Sequence, residues 1–405
     1  MLIWKTQTLN VNMASVRYRC LLPLRYLSKQ GIEQSIFGGA DPVNVMPQTK
    51  AIVFVKSFRN QDVKTCERVH RLGVPIILDL CDNIFIENYA ADNNYVPAKN
   101  FLLMAQQAAA IVTTGETLKG EVEKALAEPL SGSFAPRNIA VPIVVIPDGS
   151  ETLSDIDYAF RNTRWQRLKS LVLRPTKNRL MKRLKQASGQ LKKKKTKTVT
   201  KSEVQPTPLF PDKWPAASAG TQTILWFGNH GAKYGSFGMS NILDVAAAIE
   251  QLSQSRSLRL VVVSNSREKY EQYIAPLPFE TLYLRWHPRS IYDYIRASDV
   301  VIIPNSQSTF SLCKSENRAV LSLSQGTPVV ASRTPALDLF EDCVALDDWE
   351  AGLRQYLSDP EVAQTHVALA QQAIAQNLSG EKIAQKWLAL LEQVTNRSDG
   401  REPNN

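Results

Sequence analysis

At 405 residues the chain is longer than one ordinary hydrophobic core supports, and 44% hydrophobic with 8% aromatic content is globular, not disordered or fibrous, composition. It contains no apolar run of about eighteen residues, which excludes a spanning helix. Its net charge of +10 is one segment's property: residues 161–201 carry sixteen Lys and Arg and no Asp or Glu, so the rest sums to −6 and a chain-wide nucleic-acid footprint is excluded.

In chain order, residues 2–5 predict a short first strand. A polar loop with Ser15, Arg17 and Arg19 leads into a helix that carries Leu21, Leu24 and Leu27 at helical spacing and stops near Gly31. Apolar runs at 34–37, 51–55, 75–80, 110–113 and 141–146 predict further strands, separated by helices such as 62–71 and 102–109. Strands alternating with helices predict a parallel sheet covered on both faces, with sites at the carboxyl ends of its strands. Three such ends are polar: Ser15, Arg17 and Arg19 after the first strand, Asp79 and Asp82 after another, and Pro147 to Glu151 after the last. Residues of these types serve either as turns and caps or as ligand contacts.

Residues 151–220 break the alternation. Trp165 to Leu173 and Leu180 to Leu184 are basic and amphipathic, Lys192 to Lys195 is a charge run, and Gln205 to Pro211 is proline-rich. The segment reads either as a solvated, partly disordered insertion or as an arm for an anionic membrane surface, with Leu171, Val172 and Leu173 dipping into the interface. The aromatic interleaving of a nucleic-acid stacking platform is missing.

A second alternating unit begins at Thr223 to Phe227, followed by a loop with Gly228, Asn229, His230, Gly231, Gly235 and Gly238, and by Ser240 as the cap of a helix burying Ile242, Val245, Ala246 and Ile249. Strand, glycine-rich loop and helix let backbone N–H groups approach a phosphate, although flexible loops share the composition. Strands are predicted at 258–263, 281–284, 300–303, 328–331 and 344–346, with Arg285, Trp286, His287 and Pro288 ending the second of these. Glu381 to Val394 predicts a last amphipathic helix, and the polar tail from Thr395 is expected to fray.

The stretch with the most chemistry is Lys314, Ser315, Glu316, Asn317 and Arg318, between the strand that ends at Pro304 and the one that opens at Thr327. The residues after Lys314 predict a helix that stops at Gly326, with Lys314, Arg318 and Leu321 on one stripe. Two cations in a first turn oppose the helix dipole, whereas an anion held there by backbone and side chains reverses the sign; the alternative is a solvated charged turn. Five scattered cysteines and four histidines follow no metal spacing, and residues 1–5 lack the basic and apolar regions of a signal sequence, which together read as a reducing, cytoplasmic setting.

In order and spacing these pieces resemble the GT-B glycosyltransferases, and among them the nucleotide-sugar-using family 4. Val145 to Glu151 resembles the turn that ends the first domain there, Ile224 to Gly228 the first strand and loop of the second, and Ala297 to Pro304, Lys314 to Arg318 and Gly326 to Ser332 the donor-site run. The chain departs from the family pattern at Leu321, where a ribose-binding glutamate is usual, at Asn229 and His230, where an Arg is frequent, and at Cys81-Asp82, where a His-Asp pair is frequent.

The resemblance implies two Rossmann-like domains, 1–150 on the acceptor side and 221–395 on the donor side, with the basic insertion 151–220 between them and a tail at 396–405. It implies a retaining, metal-independent hexosyltransferase with no resident cofactor. A nucleotide-diphosphate sugar is the co-substrate, and a glycan or lipid-linked molecule is the acceptor. Lys314 and Arg318 would stabilise the departing diphosphate with the backbone of Gly228, Asn229, His230 and Gly231, and Ser315, Glu316 and Asn317 would line the donor. Trp286 would flank the base by stacking or packing; Asp82 would be catalytic or sugar-binding; Ser15, Arg17, Arg19 and Asp79 would face the acceptor. The setting implied is cytoplasmic, peripheral to the inner face of the membrane through residues 161–201. The rival readings are a catalytically silent nucleotide- or glycan-binding protein of the same fold and a sugar-nucleotide epimerase.

Overall fold

A computed structural model describes residues 1–86, 97–127, 139–173, 212–228 and 237–399, with backbone alone at 164–173 and 397–399. Two six-stranded sheets form, and every strand pair in both is parallel. The first has the order β2-β1-β3-β4-β5-β6, built from β1 Leu2–Thr6, β2 Gln34–Gly38, β3 Ala51–Val55, β4 Ile76–Leu80, β5 Ala110–Thr113 and β6 Ile143–Val145. The second has the order β12-β11-β10-β7-β8-β9, built from β7 Gln222–Phe227, β8 Leu258–Ser264, β9 Glu280–Arg285, β10 Val300–Ile303, β11 Val329–Ala331 and β12 Ala345–Leu346.

Strands such as Ala51–Val55 and Val300–Ile303 are buried along their whole length, because helices cover both faces, and so they appear in sequence as unbroken apolar runs. Each sheet separates two apolar clusters, one per face. The strand order reverses between β1 and β3 in the first sheet and between β7 and β10 in the second. Such reversals splay the connecting chain to opposite faces and open a crevice at the strands' carboxyl ends.

The chain crosses between the sheets twice. The helix Leu153–Leu173 leaves the first sheet with Ala159 in its cluster and Ile156 in that of the second, so the expected loose insertion does not begin at residue 151. The last helix, Gly380–Asp399, returns to the first sheet, where Trp387 meets Trp4 edge-on at 5.1 Å between ring centroids. Such aromatic pairs add about 0.5–1.5 kcal/mol beyond burial. Among the described residues no helix is long and apolar enough to cross a membrane.

Several local expectations change. The last helix runs on through Thr395, whose hydroxyl donates to the Leu391 carbonyl at 2.8 Å, to Asp399, following Val394, the last residue of its face buried on the first sheet. Ser240 is not a cap: Gly238, at φ 97°, starts a 3-10 turn, Met239–Asp244, that contains it. The helix expected at 102–109 is Pro97–Ala105. Residues 174–211, with Leu180 to Leu184, the lysine run and the proline-rich stretch, lie outside the described residues.

Candidate functional site

Arg318 lies at the reversal in the second sheet. It sits in the first turn of the helix Asn317–Ser324, and its guanidinium donates to the Phe227 carbonyl at the end of β7 (3.4 Å) and to Asn305 Oδ1 just beyond β10 (2.8 Å). At Gly228 a Cβ would crowd the Trp226 ring at 3.2 Å and would meet the guanidinium at 3.4 Å, about an ordinary contact. Lys314 lies in the loop before that helix, not in its first turn, with its ammonium over Phe237 (4.4 Å) and Phe310 (4.9 Å). Both cations are half-buried, and among the described residues neither forms an ion pair. Burial, then Arg318, pushes Lys314 down to about 8, and burial alone lowers Arg318 to about 10. Two desolvated cations without an ion-pair partner cost free energy that an anion would recover.

The rest of the expected donor run faces the other way. Ser315 Oγ donates to Asp148 Oδ2 at 2.6 Å and Asn317 Nδ2 to the same oxygen at 3.4 Å, so both are committed to the turn after β6 and not to the cleft. Glu316, the N-cap residue, is 8% exposed, and its Oε1 has no partner. Burial, then the charge of Asp148, raises its carboxyl to about 8, so near neutral pH it is an un-ionised acid inside the seam. Leu321 is buried in the second sheet's core, where it can accept no hydrogen bond. The preceding residue, Cys313, is buried in the first sheet's cluster, 3.8 Å from Asn83. Lys314 is thus held between two residues, Cys313 and Ser315, that are anchored on the first sheet.

Two further donor expectations change. The Gly228 N–H continues the sheet by donating to the Val263 carbonyl (3.1 Å) and is therefore unavailable to a phosphate. Trp286 is half-buried against the second core with the Arg17 guanidinium 5.5 Å from its ring centroid, so this ring has a partner from the first unit. Asn229, His230 and Gly231 lie outside the described residues.

On the first sheet, Arg17 and Arg19 fall in a π-helical turn, Arg17–Leu21, and are buried. Arg19 pairs with Asp79 at 2.6 Å and Asp148 at 3.2 Å and donates to the Ile146 carbonyl at 2.7 Å. Arg17 pairs with Glu151 at 2.9 Å, and the Glu151 carbonyl accepts from Tyr292 Oη of the second unit at 3.1 Å. Arg17, Arg19 and Asp79 are therefore internal ion-pair partners with no surface open to an acceptor, and Ser15 is half-buried just before them. Burial raises Asp79 despite Arg19, and raises the Cys81 thiol well above its ordinary value, so Cys81 is no thiolate nucleophile.

Asp82 keeps a place at the cleft. It is half-buried and accepts from Lys56 Nζ, a residue that the sequence did not single out. Both charges reach Lys314: Asp82 favours its protonated form and Lys56 opposes it. Asp82 adjoins Asn83, whose Nδ2 lies 3.8 Å from Cys313 Sγ beside Lys314, so Lys56 and Asp82 of the first half of the chain approach Lys314 of the second. Among the described residues no three His, Cys, Asp or Glu side chains are placed to hold a metal.

No family model matches the chain, and no curated protein matches it in sequence. In three dimensions it is similar to the α,α-trehalose-phosphate synthase (UDP-forming) of Burkholderia vietnamiensis, with TM-score 0.53 and 11% identity over 95% of this chain and 78% of that one. An E. coli structure bound with UDP-2-fluoro glucose gives 0.51 and 12% over 93% and 77%. The N-terminal domain of a Candida albicans trehalose-6-phosphate phosphatase gives 0.52 and 8% over 97% of both chains. At these identities the likeness is one of fold: the chain has the GT-B architecture, two Rossmann-like domains meeting at the carboxyl ends of their sheets.

Proposed function

We propose that the chain is a glycosyltransferase moving a hexose from a nucleoside-diphosphate donor to an acceptor on the first domain. The observation that carries this reading is the uncompensated Lys314 and Arg318 pair at the β7/β10 reversal, facing Asp82. Departure of the diphosphate dominates the barrier, and two preplaced, partly desolvated cations stabilise the charge that develops on it. Asp82 faces the sugar or the incoming hydroxyl, and closure of the two domains excludes water. A uridine donor and retention of configuration fit the fold neighbours, among them a synthase named as UDP-forming and another studied for glycosyltransfer with retention. The acceptor we propose is a glycan or lipid-linked sugar at the cytoplasmic face, met through the basic charge of residues 161–201. Vesicle sedimentation that is unchanged by deleting that segment would remove this last part.

Calorimetry with uridine, guanosine and adenosine diphosphates on the wild type and on Lys314→Ala/Arg318→Ala tests the site, followed by an assay for nucleoside diphosphate released from sugar donors. Binding that the double variant loses, together with release, supports the transferase; no binding of any of the three overturns it. A second reading, a binding protein without turnover, rests on Leu321 being sealed in the core where a ribose acceptor would be needed. Binding without release in the presence of sugar acceptors would favour it.

A further inference from the structure

Lys56 is the first residue beyond β3, at the reversal between β1 and β3, as Arg318 is at that between β7 and β10. Its φ is 43°, in the left-handed region that Gly, Asn and Asp occupy at low cost and a lysine does not. Its N–H donates to the Asp79 carbonyl at 2.9 Å, so the turn is fixed by the sheet itself. The side chain reaches Asp82 across the end of β4 and is half-buried at the cleft. That turn meets the loop of the other domain where Asn83, next to Asp82, lies 3.8 Å from Cys313, next to Lys314, and the charges of both Lys56 and Asp82 act on Lys314. Strain held at a position where asparagine or glycine would relieve it points to a requirement for the side chain itself.

Resting on the function proposed above, we propose that Lys56 is a third ligand of the donor's diphosphate, supplied by the first domain, with Asp82 holding it at the cleft wall until the anion arrives. An entering diphosphate brings negative charge to Lys314 and Arg318 and competes with Asp82 for the Lys56 ammonium. A bridge from Lys56 to the anion spans both domains, so it forms only when they are closed. Release of Asp82 from Lys56 then leaves that carboxylate free to face the sugar or the acceptor hydroxyl. One movement thus couples donor binding to exposure of the carboxylate.

Calorimetry with uridine diphosphate and with inorganic pyrophosphate on the full chain tests this. Lys56→Asn keeps a residue that tolerates the turn, so the melting temperature is expected to hold while affinity for both probes falls about tenfold or more. Lys56→Gly is the second variant, with the same expected loss, and Lys64→Asn, which removes one exposed charge from the helix Asn60–Arg71, controls for overall charge. If the wild type binds and Lys56→Asn and Lys56→Gly bind within about twofold of it, or no more weakly than Lys64→Asn, the inference is overturned and the site at Lys314 and Arg318 stands. If the wild type binds neither probe, the functional reading itself is overturned, and this inference with it.

Discussion

The two sheets share strand number, parallel pairing and a single reversal of order, yet their carboxyl ends treat charge in opposite ways. Beneath the first, Arg17 and Arg19 are buried with Glu151, Asp79 and Asp148, and the resulting network reaches across to Ser315, Asn317 and Tyr292. At the second, Lys314 and Arg318 form no ion pair among the described residues and give up proton affinity to burial, with Asp82 acting on Lys314 only at longer range. A compensated buried charge holds domains together; an uncompensated one waits for a ligand. Charged residues at strand ends are therefore poor indicators of a site until their partners are counted.

The largest test of that contrast is Arg19→Ala. It leaves Asp79 and Asp148 buried without their cation and is expected to cost about 3–5 kcal/mol in urea unfolding. A cost under about 1 kcal/mol, typical of exposed pairs, would erase the distinction between the two sheets. Next, Lys314→Ala/Arg318→Ala should leave stability unchanged or raised while uridine diphosphate affinity falls about a hundredfold, since each charge-assisted bond is worth about 1.5–3 kcal/mol. A variant that unfolds instead would show the pair to be structural.

Glu316→Gln sharpens the contrast within the seam. The Glu316 carboxyl rises from an ordinary 4.5 to about 8 on folding, so the native state keeps a proton that the unfolded chain has lost. Its contribution is fully present below about 4.5, falls as pH rises, and is exhausted above about 8. The melting-temperature advantage of Glu316→Gln should grow across that window and then level; a pH-independent difference would refute the buried acid. The smallest effect concerns Lys314→Arg. With Lys314 near 8, wild-type affinity for uridine diphosphate should drop a few-fold between about pH 7 and pH 9, while the arginine variant, charged throughout, should fall less steeply. Parallel pH profiles would show that Lys314 is not the titrating cation.

Fold and site were unequally legible in the sequence. Strands buried on both faces are continuous apolar runs, so Ala51–Val55 and Val300–Ile303 are visible without partners. Lys314 and Arg318 stand out through their helical spacing between two such runs. Arg19 and Arg17 looked like ligand contacts because their carboxylates lie 60 and 134 residues away, beyond any local pattern. Ser315 and Asn317 misled for the same reason: their acceptor, Asp148, belongs to the other domain. Lys56 gave no signal at all. A lysine after an apolar run is ordinary, and only its φ of 43° and its reach to Asp82 distinguish it.

The last helix sets an order of events during synthesis. Ile383, Ala384, Trp387, Leu390 and Val394 complete the apolar cluster on the face of the first sheet that carries Trp4, Val53 and Val112. Those strands leave the ribosome early, while the helix that covers them emerges only after the whole second domain. Until that helix has followed the second domain out, the face is covered only by the other members of its cluster, such as Leu21, Leu24 and Leu27, and the rest of its apolar surface is open to association with other chains.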